Sequence, residues 1–121
     1  MGESILDSVK KSLGLDPDYN AFDDEIIPII NLNLMTLVQN GIGEESFIVK
    51  DSEQTWSEFL GDFQDVECAK SFVNFRVKLM FDPPSTSQAS EAMTKIADEC
   101  LWRCLIQVEE VRQNGIRSKI C

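Results

Sequence analysis

VECAKSFVNFRVKLMFDPPSTSQASEAMTKIADECLWRCLIQVEEV, residues 66–111, decides the fold. Its first arm carries apolar residues at Val66, Ala69, Val73, Val77 and Met80. Its second carries them at Ala89, Ala92, Met93, Ile96, Ala97, Cys100, Leu101, Cys104, Leu105, Val108 and Val111. Both series step by three and four, the spacing that gathers side chains on one face of a helix. Pro83 and Pro84 separate them. Proline lacks an amide donor and its predecessor avoids helical backbone, so the first helix stops near Phe81 or Asp82. Ser85, with Gln88 three residues on, forms a capping-box pair that restarts a helix at about Thr86. The stretch predicts an all-α fold: a small helical bundle built on a long antiparallel helix hairpin.

Outward from the hairpin, residues 3–13 read as a short amphipathic helix with Ile5, Leu6, Val9 and Leu13 on one face and Gly14 as its stop. An acidic turn follows. Asp23, Asp24 and Glu25 stand where the next helix begins and suit the positive end of its dipole. The ligand spacing and central glycine of a calcium loop are missing. The second helix, from about Asp24 to Asn40, is apolar on nearly every face, which predicts a central helix or one covered by a neighbouring subunit. Asn31, Asn33, Thr36 and Gln39 mark its wetter side. Pro28 is read as lying in the first turn, where no amide donor is needed.

The connection over 44–55 is predicted to hold a short strand or β-hairpin, because Phe47-Ile48-Val49 has strand character. So short a strand must pair within the chain or offer its edge to a partner. Thr55 and Glu58 match a capping box, placing Trp56, Phe59 and Leu60 as plugs in the core. Asn114-Gly115 predicts the end of the long helix. The chain then divides into a helical domain, 1–112, and a C-terminal tail, 113–121. Arg112, Arg117 and Lys119 make that end basic, whereas eight carboxylates face one lysine between Glu44 and Glu67. The tail is either a docking arm for an acidic neighbour or a solvated terminus.

Composition narrows the function. The chain has 121 residues, enough for one domain with a modest core, and its 43% hydrophobic content argues against wholesale disorder. The net charge of −10 disfavours binding to nucleic-acid phosphates and anionic lipid. Met1 to Lys11 is too polar for a signal peptide, and no window approaches the roughly 18 apolar residues of a membrane helix. A cytosolic setting is expected, with disulfides disfavoured. Cys100 and Cys104 fall in the apolar series and are read as small core residues, not metal ligands, since histidine and CxxC are absent. No phosphate loop, nucleophile elbow or basic recognition helix occurs. The sequence therefore predicts no catalytic residues, no cofactor and no metal, and points to a binding or structural module.

Four runs carry a family likeness: Leu37-Val38-Gln39-Asn40-Gly41-Ile42-Gly43, Trp56-Ser57-Glu58-Phe59-Leu60-Gly61, Arg76-Val77-Lys78-Leu79-Met80-Phe81-Asp82-Pro83-Pro84 and Glu99-Cys100-Leu101-Trp102-Arg103. In this order the chain resembles the head–tail connector (adaptor, or head-completion) proteins of long-tailed bacteriophages, over roughly 5–110. The resemblance implies a structural subunit of a virion neck, assembled in the host cytoplasm as a ring, typically dodecameric, under the portal protein. Such a ring extends the DNA channel without binding DNA specifically and offers a docking surface to neck or tail-completion proteins. On that footing Phe47, Ile48, Val49 and Arg76 are expected at the subunit interface, and Ile116, Arg117, Lys119 and Ile120 at the portal. A small acidic regulator that binds another protein, or a transient packaging accessory, is the alternative.

Overall fold

The computed structural model describes residues 2–63 and 65–120, the last ten as backbone alone. These residues form five helices: α1 (Ile5–Ser12), α2 (Asp23–Gln39), α3 (Trp56–Leu60), α4 (Val66–Phe81) and α5 (Ser87–Ile120). The all-α class stands. The strand does not. The only β-pairing among the described residues is a single antiparallel bridge between Ser4 and Thr55, made as the Ile5 amide donates to Gln54 O (2.9 Å) and the Trp56 amide to Glu3 O (3.0 Å). It ties the chain's beginning to the start of α3.

Helix α1 is short, yet five of its eight residues are buried. Ser4 caps it, its Oγ accepting from the Asp7 amide at 3.2 Å. Ile5, Leu6 and Val9 enter the core, and so do the polar Ser8 and Lys10. Ser8 Oγ accepts from the indole Nε1 of Trp56 at 2.8 Å, which anchors α3 against α1. Lys10 is 1% exposed. Its ammonium donates to Pro17 O at 2.8 Å and lies 2.9 Å from Asp23 Oδ1. A buried charge needs such partners, so Lys10 clamps the 13–22 turn and the first residue of α2.

Helix α2 buries one stripe, Ile26, Ile30, Asn33, Leu34 and Leu37, and leaves Leu32 and Met35 open. Of the two expectations, a central helix or one covered by a neighbouring subunit, the first is not met: within the chain only this stripe is buried. Pro28 is the sixth helical residue, past the first turn. The carbonyl it leaves without a donor belongs to Asp24, and both residues are exposed, so water replaces the missing bond.

Helix α3 has the predicted capping box between Thr55 and Glu58 and buries Trp56, Phe59 and Leu60. Gly43, a few residues past the end of α2, lies against α3. Its φ of 90° is accessible to glycine, and a β-carbon there would collide with the Phe59 ring.

Helix α4 is capped by Asp65, whose Oδ1 accepts from the Cys68 amide at 3.1 Å, and ends at Phe81 as the prolines require. Helix α5 starts differently from expectation. Thr86 Oγ1 accepts from the Ala89 amide at 3.1 Å, so Thr86 is the cap, not Ser85. The helix then continues through Asn114-Gly115 to Ile120. Asp65 donates its amide to Gln107 Oε1 at 3.1 Å, and Cys68 and Cys104 are joined in a disulfide with Cα atoms 6.3 Å apart. The start of α4 thus meets the middle of α5, while residues 82–86 join their other ends. The bond between Cys68 and Cys104 corrects the expectation that disulfides are disfavoured. The two cysteines lie opposite each other across the helix pair, which their spacing in the chain does not reveal.

Three stability outcomes follow from this packing. Lys10→Met should cost about 2–4 kcal/mol in urea unfolding, because Asp23 and the Pro17 carbonyl lose their partner. Lys78→Met, which removes only the partly exposed pair with Asp82 at 2.7 Å, should cost less than about 1 kcal/mol. Reduction of the Cys68–Cys104 bond, which spans 36 residues, should lower stability by roughly 4 kcal/mol on the chain-entropy estimate, measured by unfolding with and without reductant.

Candidate functional site

The fold leaves two apolar faces uncovered. The first combines α2 with the loop after it. Met35 and Ile48 are each 56% exposed and Leu32 is 49% exposed. Between α2 and the loop runs a groove of about 460 Å³ lined by Met35, Val38, Phe47 and Ile48, with Glu45 among its polar lining. The second face lies on α5, where Trp102 is 60% exposed and Ile96 and Ile106 are also open. Helix α4 covers only the side of α5 that carries Ala97 and Cys104. The Trp102 side has no covering element among the described residues, and of the predicted apolar series of α5 Ala89, Ala92 and Ile96 are exposed, so that series is only partly core. Large apolar side chains grouped in this way mark surfaces that other molecules cover.

One side chain shapes the first face. Asn31 Nδ2 donates to Val49 O at 3.0 Å, and Asn31 Oδ1 accepts from the Val49 amide at 2.8 Å. This carboxamide takes both backbone groups that a neighbouring strand would otherwise take. That is why 47–49 runs extended without a sheet. It also fixes the alternation of the three residues. Val49 points into the core, Phe47 packs half-buried on Phe59 with ring centroids 5.2 Å apart, and Ile48 points out.

Of the four residues expected at a subunit contact, only Ile48 presents an open side chain. Arg76 is half-buried. Its Nε donates to Asn33 Oδ1 at 3.3 Å, and Asn33 Nδ2 donates to Ile29 O at 2.9 Å. Asn33 was expected on the wet side of α2 but is 1% exposed, because it seats Arg76 between α2 and α4. Arg103 pairs with Glu99 one turn back on α5 at 3.0 Å. The side chains of Ile116, Arg117, Lys119 and Ile120 lie outside the described residues.

Sequence reading placed Leu32 and Met35 within a helix that was either central or covered by a neighbour. The signal was present: they fall off the stripe made by Ile26, Ile30, Leu34 and Leu37. Trp102 and Ile106 carried the same signal: both fall outside the apolar series of α5 and on the side away from the buried Ala97 and Cys104.

The ionisable groups are mostly structural. Lys70 bonds Glu3 and lies 3.7 Å from Glu67. The Glu3 hydrogen bond holds its ammonium above the usual lysine value, against the downward pull of burial. Burial pushes the Cys100 thiol up. Among the described residues, no group of three or more His, Cys, Asp or Glu side chains is placed to hold a metal ion, and no helix is long and apolar enough to cross a membrane.

Asn31→Ala should free the Val49 amide. Its hydrogen-exchange protection is expected to fall on the order of tenfold, as one buried bond is worth about 1 kcal/mol, with α4 amides unchanged.

Comparison with known proteins follows the same direction. A family model described as phage connector protein matches residues 5–111. No curated protein and no solved structure matches the chain.

Proposed function

The chain belongs to the phage connector protein family, and from that premise we propose that it is a subunit of a head–tail connector ring seated under the portal protein. The observation that carries the reading is the pair of apolar faces on different elements: Leu32, Met35 and Ile48 on one, and Ile96, Trp102 and Ile106 on the other. Two unlike faces that cover each other between neighbouring copies give a head-to-tail contact, and a head-to-tail contact that closes on itself makes a ring. Ile48 stands at the centre of one half and Trp102 at the centre of the other. Arg76 and Phe47 support the first half from behind, and Val49 holds the loop to the core.

The ring, a dodecamer by the family likeness, extends the DNA channel and gives neck or tail-completion proteins a surface to dock on. Its subunits each carry a net charge of −10. Acidic walls repel phosphate, which lets DNA pass without sticking. The body of the chain, 1–112, makes the ring. The C-terminal part, 113–121, with Ile116, Arg117, Lys119 and Ile120, is assigned to the portal. The chain is assembled in the host cytoplasm and resides in the virion neck.

Ile48→Asp and Trp102→Asp should each leave the helical circular dichroism intact and abolish ring formation in the presence of portal protein, read by light scattering and negative-stain imaging. Rings that form normally with both substitutions would sink the interface. Removal of residues 113–121 should spare the fold and weaken portal binding in a pull-down. Normal portal binding by the shortened chain would refute the assignment of the tail.

A further inference from the structure

We propose that Arg76 is a receptor for a carboxylate at the contact between copies and that Glu110 of the neighbouring copy fills it. This rests on the ring reading above and adds the charged contact that fixes which way two copies meet. A guanidinium carries five N–H donors and a permanent charge. Arg76 uses one donor, Nε to Asn33 Oδ1 at 3.3 Å, and forms no ion pair among the described residues. Its two terminal nitrogens have no partner in the chain, and neither is shut away from water. Yet the group is held in place. Asn33 is 1% exposed, and its Nδ2 donates to Ile29 O at 2.9 Å and lies 3.5 Å from Met80 Sδ. Asn33 therefore grips the guanidinium on its Nε side, in the seam between α2 and α4, and leaves the outer fork open. Apolar surface continues beside it: Leu32 precedes Asn33 on α2, and Met80, 43% exposed, is one turn beyond Arg76 on α4. A pre-placed cation next to open apolar side chains suits an apolar face edged by a carboxylate, bound end-on through both terminal nitrogens.

The other apolar face of this chain has such an edge. On α5, Trp102, Ile106 and Glu110 stand three, seven and eleven positions after Glu99, which puts all four on one side of the helix. Glu99 is paired with Arg103 at 3.0 Å. Glu110 is exposed and forms no ion pair among the described residues. It lies one turn beyond Ile106, at the rim of the face that Trp102 centres. The occupant of the Arg76 fork is thus a second copy of this chain, its apolar α5 face set on Leu32 and Met35 and its Glu110 on the guanidinium.

The test mixes two variants of the full chain in the presence of portal protein, with assembly followed by light scattering and rings identified by negative-stain imaging. Arg76→Glu and Glu110→Arg each set like charges against each other at every contact. Each alone should raise the concentration needed for ring formation on the order of tenfold or more. A one-to-one mixture restores opposite charges wherever the two variants alternate and should assemble like the unsubstituted chain. Circular dichroism and thermal unfolding check the fold of each. Glu110 lies outside the core, so Glu110→Arg alone decides the matter if Arg76→Glu disturbs the seat made by Asn33. A mixture that assembles no better than its components, or Glu110→Arg rings that form normally, would overturn the contact while the apolar faces, read by Ile48→Asp and Trp102→Asp, still stand. Loss of portal binding by Arg76→Glu with no recovery in the mixture would overturn it too and give the guanidinium to the portal. An unsubstituted chain that forms no ring at all would overturn the ring reading and this contact together.

Discussion

An ammonium group shut away from water must be met by oxygens, and around Lys10 those oxygens come from two separate parts of the chain. Pro17 supplies a carbonyl and Asp23 a carboxylate. Their convergence decides where the 13–22 turn lies and where α2 starts. The same short helix gives Ser8 to the indole of Trp56 and its first amide to Gln54. A few residues earlier, Glu3 reaches Lys70 on α4. Most of the fold is thus referred to α1, a helix too short to be stable alone. It is held because its polar groups, as well as its apolar ones, have partners that only the folded chain brings together.

Small polar side chains do similar work elsewhere. Asn31 stands in for a strand, and Asn33 seats a guanidinium between two helices. Both roles were invisible in the sequence, where an asparagine on a helix reads as its wet side. The helices were legible because periodicity, proline and cap residues are local signals: α4 ends at Phe81 where Pro83 and Pro84 require, and Thr55 and Glu58 make their box. Several differences arise where a partner far along the chain competes with local pattern. The 47–49 segment has strand composition, yet its backbone is satisfied by a side chain 18 residues away. Ser85 was a sound local cap, but Thr86 lies one step further round and takes the free amide. The cysteine pairing depends on the alignment of two helices, which spacing alone does not fix.

The candidate surfaces follow from the same division. A sequence tells which residues are apolar, whereas coverage depends on how many elements are available to pack. Five helices, one of them only a single turn or so, cannot cover both sides of α5 and all of α2. Leu32, Met35, Ile48 and Trp102 remain at the surface because there is nothing left in the described chain to place over them. For a single-copy protein that is a solubility cost. For a protein whose working form is an assembly, it is the material from which the assembly is built.

The antiparallel α4–α5 pair is closed at one end by the chain itself, over residues 82–86, and at the other by the bond between Cys68 and Cys104. Tension along the polypeptide would cross that bond and never load the turn or the first half of α5. The enclosed segment, 36 residues by sequence separation, would withhold roughly 120 Å of contour from any extension. In mechanical terms the locked pair is a strut with a short force path, and the helical C-terminal extension hangs from its braced end.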